Sequence, residues 1–128
     1  MPNHRDIHKA LEALLQVRSL LESSAGGSKD LPTLRRVRDL STLATRAIVD
    51  SSFRNRLVQL ETYADALFSD RKRQPWARNK ASGIFALRHR AYAELDALER
   101  RLHYIRAVRT LSTSANQLGD GAGSDPNR

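Results

Sequence analysis

Residues 34–68, LRRVRDLSTLATRAIVDSSFRNRLVQLETYADALF, hold two apolar stripes that do not share one phase. Leu34, Val37, Leu40, Leu43, Ala44, Ala47 and Ile48 recur at three- and four-residue spacing, the period of one helix face. Phe53, Leu57, Leu60, Ala64, Leu67 and Phe68 recur in the same way with a shifted origin. The slip falls at Asp50-Ser51-Ser52, three good capping residues. This predicts a tight break between two helices. One kinked helix over 32–69 is the alternative.

Upstream, Pro32 suits the first turn of the helix that carries Leu34. The run SSAGGSKDL at 23–31 reads as a flexible loop. Before it, a helix is expected from about Asn3 to Glu22, with Asn3 as cap and Asp6 in a first turn where the helix dipole favours an acid. Its stripe is Ile7, Ala10, Leu11, Leu14, Val17 and Leu21, and Leu15 and Leu20 widen the arc. An arc this wide implies burial on two sides, at the centre of a bundle or at a subunit contact.

Downstream, Asp70 to Gln74 is a charged connector and Pro75 can open a last helix. Ile84, Leu87, Ala91, Leu95, Leu98, Leu102, Ile105 and Val108 give that helix a long stripe, ending near Leu111. Gly83 marks a kink or a close backbone approach near its start. The polar, Gly-rich 112–128 reads as a disordered tail. The expected fold is all-α: an antiparallel bundle of three to four helices over 1–111 with a long C-terminal helix.

Composition agrees. Leu, Ala, Arg and Glu favour helices, whereas β-branched and aromatic residues are scarce. There is no cysteine, which excludes disulfides, thiolate metal sites and a Cys nucleophile. The start MPNHRDIH shows no secretory h-region, and no apolar run is long enough to span a bilayer. A soluble cytoplasmic protein is the expectation.

The formal net charge is +8, and it is local. Residues 71–93, RKRQPWARNKASGIFALRHRAYA, hold Arg71, Lys72, Arg73, Arg78, Lys80, Arg88 and Arg90 and no acid. The rest of the chain has 15 Lys/Arg against 14 Asp/Glu. A concentrated cationic patch steers polyanions toward itself. Arg78 and Lys80 oppose the dipole at a helix start, a local cost that an anionic ligand would convert into a gain. Trp76, Phe85 and Tyr92 lie in the same segment and offer stacking surfaces, which favours single strands over duplex. The bland alternative packs the aromatics at the core edge and solvates the arginines. Basic clusters at Arg35, Arg36 and Arg38, and at Arg100, Arg101, Arg106 and Arg109, read as solvated surface, partly offset by helix pairs such as Asp96–Arg100.

Catalytic signals are weak. His4, His8 and Glu12 share a stripe but lack the further ligands a zinc site needs. Glu99 and His103 have no nucleophile beside them. No P-loop, GxSxG or HExxH occurs, and no Arg-His pair has the spacing of HEPN-type ribonucleases. A helix-turn-helix at 50–53 would need shorter helices and charge located there. Neither enzyme activity nor a cofactor nor a metal is expected.

In size, all-α character and the basic segment Arg71 to Arg90, the chain resembles the small helical subunits of CRISPR effector complexes. The resemblance rests on no motif, so it carries over no residue roles. It implies a non-catalytic accessory subunit or homo-oligomer contacting nucleic acid, with other protein subunits as further partners. The competing class is a protein-interaction module, an adaptor or inhibitor, whose patch meets an acidic protein.

Overall fold

A computed structural model describes the backbone of residues 3–24, 29–69 and 80–124 and the side chains of 3–24, 29–69 and 83–111. The described backbone is all-α. Helices α1 (His4–Ser23), α2 (Leu31–Ala47), α3 (Ser51–Phe68) and α4 (Lys80–Ser124) form a four-helix bundle.

Each of the first three helices starts at a side-chain cap that satisfies an orphan backbone N–H. Asn3 accepts from the Asp6 N–H while the Asp6 carboxylate accepts from the Asn3 N–H, a full capping box. Asp30 accepts from the Thr33 N–H, with Pro32 in the first turn of α2. Asp50 accepts from the Phe53 N–H and opens α3. A break is therefore real and the single kinked helix is excluded, but it falls at Ile48 to Asp50, two residues before the foreseen Asp50-Ser51-Ser52, with Ser51 and Ser52 already helical. The reversal takes only Ile48 to Asp50. Ile48 is buried as the last core residue of α2, and Val49 stands in solvent at the tip, 91% exposed.

Helix contacts run in a ring, α1 on α2, α2 on α3, α3 on α4, and α4 back on α1. Every neighbouring pair is antiparallel, as the residues that meet across each seam show. Gln16 meets Arg36 and Ser24 meets Thr33 between α1 and α2. Arg38 meets Asp65 between α2 and α3, and the Asp30 N–H donates to the Phe68 carbonyl. Arg56 meets Glu94, and Asp50 meets Arg101, between α3 and α4. Arg18 meets Asp96, and Ser24 meets Arg88, between α1 and α4.

The core between them is apolar, with Phe53, Phe68, Leu14, Leu21, Leu57, Leu60, Leu95 and Leu98 fully enclosed. Fully burying a side chain of this size contributes about 1.5–3 kcal/mol. Two of the apolar residues read from the sequence, Leu43 and Leu15, are instead exposed. Leu43, counted in the α2 stripe, is 45% exposed. At 100° per residue it lies roughly 120° from the centre of the buried face. Ser41 is buried instead, and its hydroxyl has no hydrogen-bond partner among the described residues. On α1, Leu11 and Leu20 pack against the core, so the wide arc serves two neighbours, and only Leu15 is left open to solvent.

The helix α4 runs on to Ser124, past Leu111 where the sequence pattern predicts its end. Its packing stops sooner. Ile105 is its last core residue, Val108 is half-buried and Leu111 is exposed. Among the described residues no helix is long and apolar enough to cross a membrane.

Candidate nucleic-acid interface

The antiparallel ring places the C-termini of α1 and α3 and the N-termini of α2 and α4 at one end of the bundle. Lys80, the first described residue of the basic segment, lies at this end. Of its residues, Arg71, Lys72, Arg73, Trp76 and Arg78 lie outside the described residues, as does Pro75. Lys80 is the first residue of α4, whose first turn holds no acid.

The described part of the segment divides into two faces. Gly83 and Leu87 are buried, and Ile84 packs on the core edge. Phe85, His89 and Arg90 are exposed, Phe85 at 74%. Arg88 turns inward. Its guanidinium donates to the Leu21 carbonyl and, at 2.9 Å, to the Ser24 carbonyl. These carbonyls belong to the last turn of α1 and its cap, which have no further helical partners. A cation there also suits the negative end of the α1 dipole. Arg88 is thus a cap on α1 before it is a phosphate ligand. Tyr92 is half-buried against the core, and the Arg18 guanidinium lies 5.8 Å from its ring centre. One ring face is occupied by that cation–π contact. The residues of the segment open to solvent are therefore Phe85 and His89 on one flank and Arg90 on another.

Elsewhere Arg18, Arg38, Arg56 and Arg101 are engaged with acids. Arg18 bridges Asp96 at 2.7 Å and Glu99 at 3.1 Å, and Arg38 reaches Asp65 at 3.1 Å. Arg56 reaches Glu94 at 3.2 Å. Arg101 holds Asp50 with two parallel bonds of 3.0 and 2.8 Å. That paired contact, helped by the Phe53 N–H, pulls the Asp50 carboxyl below its ordinary range against the opposing effect of burial. The clusters expected to be solvated thus contain seam residues in Arg36, Arg38 and Arg101. Asp96 is bonded to Arg18 across a seam, where local spacing suggests Arg100.

The other candidates show no assembled chemistry. His8 and Glu12 approach to 3.7 Å as an exposed helix pair. Among the described residues no three His, Asp or Glu side chains converge as a metal site. His103 bonds Arg106 at 2.6 Å while Glu99 is held by Arg18, so they are not a couple. An open cleft of about 590 Å³ between α1 and α2 is lined by Asp6, Lys9, Asp39, Thr42 and Arg46, a mixture of both charges. On α3, burial raises the Glu61 carboxyl, with Arg38 opposing. Comparison with known proteins finds no matching family model, no similar curated protein and no similar solved structure.

Proposed function

We propose that this protein is a non-catalytic module that grips a nucleic-acid backbone at the α4 entry end of its bundle. One observation carries the reading: the uncompensated charge is confined to an acid-free stretch, while arginines of the bundle body are bound to acids across its seams. Charge left over by the fold is what a polyanion would use. Lys80, Arg90 and the basic residues Arg71, Lys72, Arg73 and Arg78 supply phosphate contacts. Exposed Phe85 supplies a stacking surface, which favours single strands. Arg88 contributes less, since its guanidinium serves α1. The module would act as an accessory subunit of a larger nucleoprotein complex, in the manner of the CRISPR small subunits it resembles.

The test is fluorescence anisotropy of labelled single-stranded RNA, single-stranded DNA and duplex DNA at several salt concentrations. Four phosphate contacts on a single strand predict roughly a 50-fold loss of affinity between 50 and 200 mM salt. A variant carrying Lys80→Glu and Arg90→Glu should lose binding, whereas Arg54→Glu at the opposite end should keep it. Binding that survives the double reversal would remove this site. No binding to any of the three at 50 mM salt would turn the reading to an acidic protein partner.

A further inference from the structure

The outward face of α4 carries a second stripe that the bundle does not use. Ala86, Arg90, Ala93, Ala97, Arg100, Tyr104, Ala107 and Leu111 follow one another at alternating spacings of four and three. That is the seam pattern of a coiled coil. All are exposed except Ala97, which is half-buried, and Tyr104 and Leu111 are 57% and 70% exposed. The core stripe of α4 faces α1 and α3, so this one looks away from both.

We infer that this face pairs with the same face of a second copy, antiparallel, about a two-fold axis passing between Leu98 and Glu99. The argument is the size pattern. In that register Ala86 meets Leu111 of the second copy, Arg90 meets Ala107, Ala93 meets Tyr104, and Ala97 meets Arg100. Each layer sets one large side chain against one alanine. The pattern is self-complementary, as a two-fold contact requires. No neighbouring register does this. Sliding by one heptad in either direction puts alanine on alanine, and in one direction Arg90 also meets Arg100. A parallel pair sets Arg90 on Arg90 and Arg100 on Arg100.

Charge fits the same register. Asp96 flanks the seam, with its carboxylate still 55% exposed while bonded to Arg18. It would stand beside Arg100 and His103 of the second copy. Arg90, opposite an alanine, has room to lay its aliphatic stem on the seam and carry its head to solvent. From Ala86 to Leu111 the strip is about 38 Å long at 1.5 Å per residue. With a helix roughly 10 Å across, the footprint is on the order of 400 Å² per copy. That is about 800 Å² in total, below stable interfaces and in the range of weak, transient ones. The dimer is thus weak and reversible. It needs no nucleic acid, and its two basic segments lie at opposite ends.

Sedimentation equilibrium of the full chain without nucleic acid tests this. The apparent mass should climb from 14.4 kDa toward twice that value as concentration rises from about 10 to about 300 µM. Ala93→Glu should stay monomeric with unchanged circular dichroism, because Ala93 is exposed. The chain has no cysteine, so register can be read directly. A short bismaleimide should link Ala93→Cys protein mixed with Tyr104→Cys protein. Either variant alone should link poorly, since like positions lie about 16 Å apart along the axis. A wild-type chain monomeric at 300 µM would overturn the inference. So would an Ala93→Glu variant that still dimerises, or efficient linking of Ala93→Cys to itself.

Discussion

Replacing Asp50 by Asn isolates one of the two tasks this residue performs. Its carboxylate caps α3 through the Phe53 N–H at 2.9 Å and holds Arg101 through two bonds. Asparagine caps nearly as well as aspartate, so Asp50→Asn keeps the cap and removes the charge from the pair. The pair is partly sheltered, with side chains 34% and 19% exposed for Arg101 and Asp50. Charged hydrogen bonds contribute about 1.5–3 kcal/mol when sheltered and salt bridges at the surface about 0–1. An intermediate loss of about 1–2 kcal/mol is expected, a fall of roughly 4–8 °C in midpoint for a chain of this size. Asp50→Ala also removes the cap and should cost about 1 kcal/mol more. Urea unfolding followed by circular dichroism measures both, and a cycle with Arg101→Met gives the coupling. The pH dependence has a fixed sign. The folded Asp50 carboxyl lies below its ordinary value of 3.8. Its stabilisation is therefore complete above that value and fades as pH falls through the lower folded one. The gap between wild type and Asp50→Asn should be equal at pH 7 and pH 5 and should close in stronger acid. A coupling energy indistinguishable from zero, or a gap that persists in acid, would refute the assignment of Arg101 as the clamp.

Arg88→Met should cost about 1–3 kcal/mol, because the Leu21 and Ser24 carbonyls lose a charged donor; hydrogen exchange should quicken first in the last turn of α1. Ser41→Ala removes a buried hydroxyl that has no partner among the described residues and should raise stability by about 1 kcal/mol in urea unfolding. Glu61→Gln should stabilise at pH 7. Burial lifts the folded Glu61 carboxyl above 4.5, so its ionised form is a penalty that vanishes when pH falls below that value; the advantage of Gln should vanish with it in parallel thermal melts.

Local chemistry made most of the fold legible. Asn3 with Asp6, and Asp50 with the phase slip beside it, are capping signals written within four residues, and the caps form where they point. Leu43 shows the limit of stripe counting, because spacing alone does not say how far around the helix the core extends. The seams were invisible for another reason. Arg18 and Asp96 are 78 positions apart, and nothing local distinguishes an arginine that will meet an acid across a bundle from one that will be solvated. The same blindness affected the site. Arg88 sits in an acid-free run and looks like a phosphate ligand, yet its partner is the end of a helix 67 residues earlier. Arg18 likewise reaches Tyr92 from another helix. Phe85 and Arg90 are exposed, because their places on the wheel of α4 alone set them off its core stripe.

The ring of contacts closes through α1 on α4, and that closure sets an order of events. The pairs α1–α2, α2–α3 and α3–α4 join elements adjacent along the chain, so each can form as a hairpin with a modest loop cost. The fourth seam joins residues 64 to 81 positions apart through Arg88 with Ser24 and Arg18 with Glu99. It is expected to be the slowest to find and the last to lock. Contacts absent from the folding transition state govern how fast a protein comes apart rather than how fast it forms. Weakening Arg18 or Arg88 should therefore leave the refolding limb of a chevron plot nearly in place and lift the unfolding limb. The lifetime of the folded molecule would then be controlled by a latch at the end of the chain's longest loop.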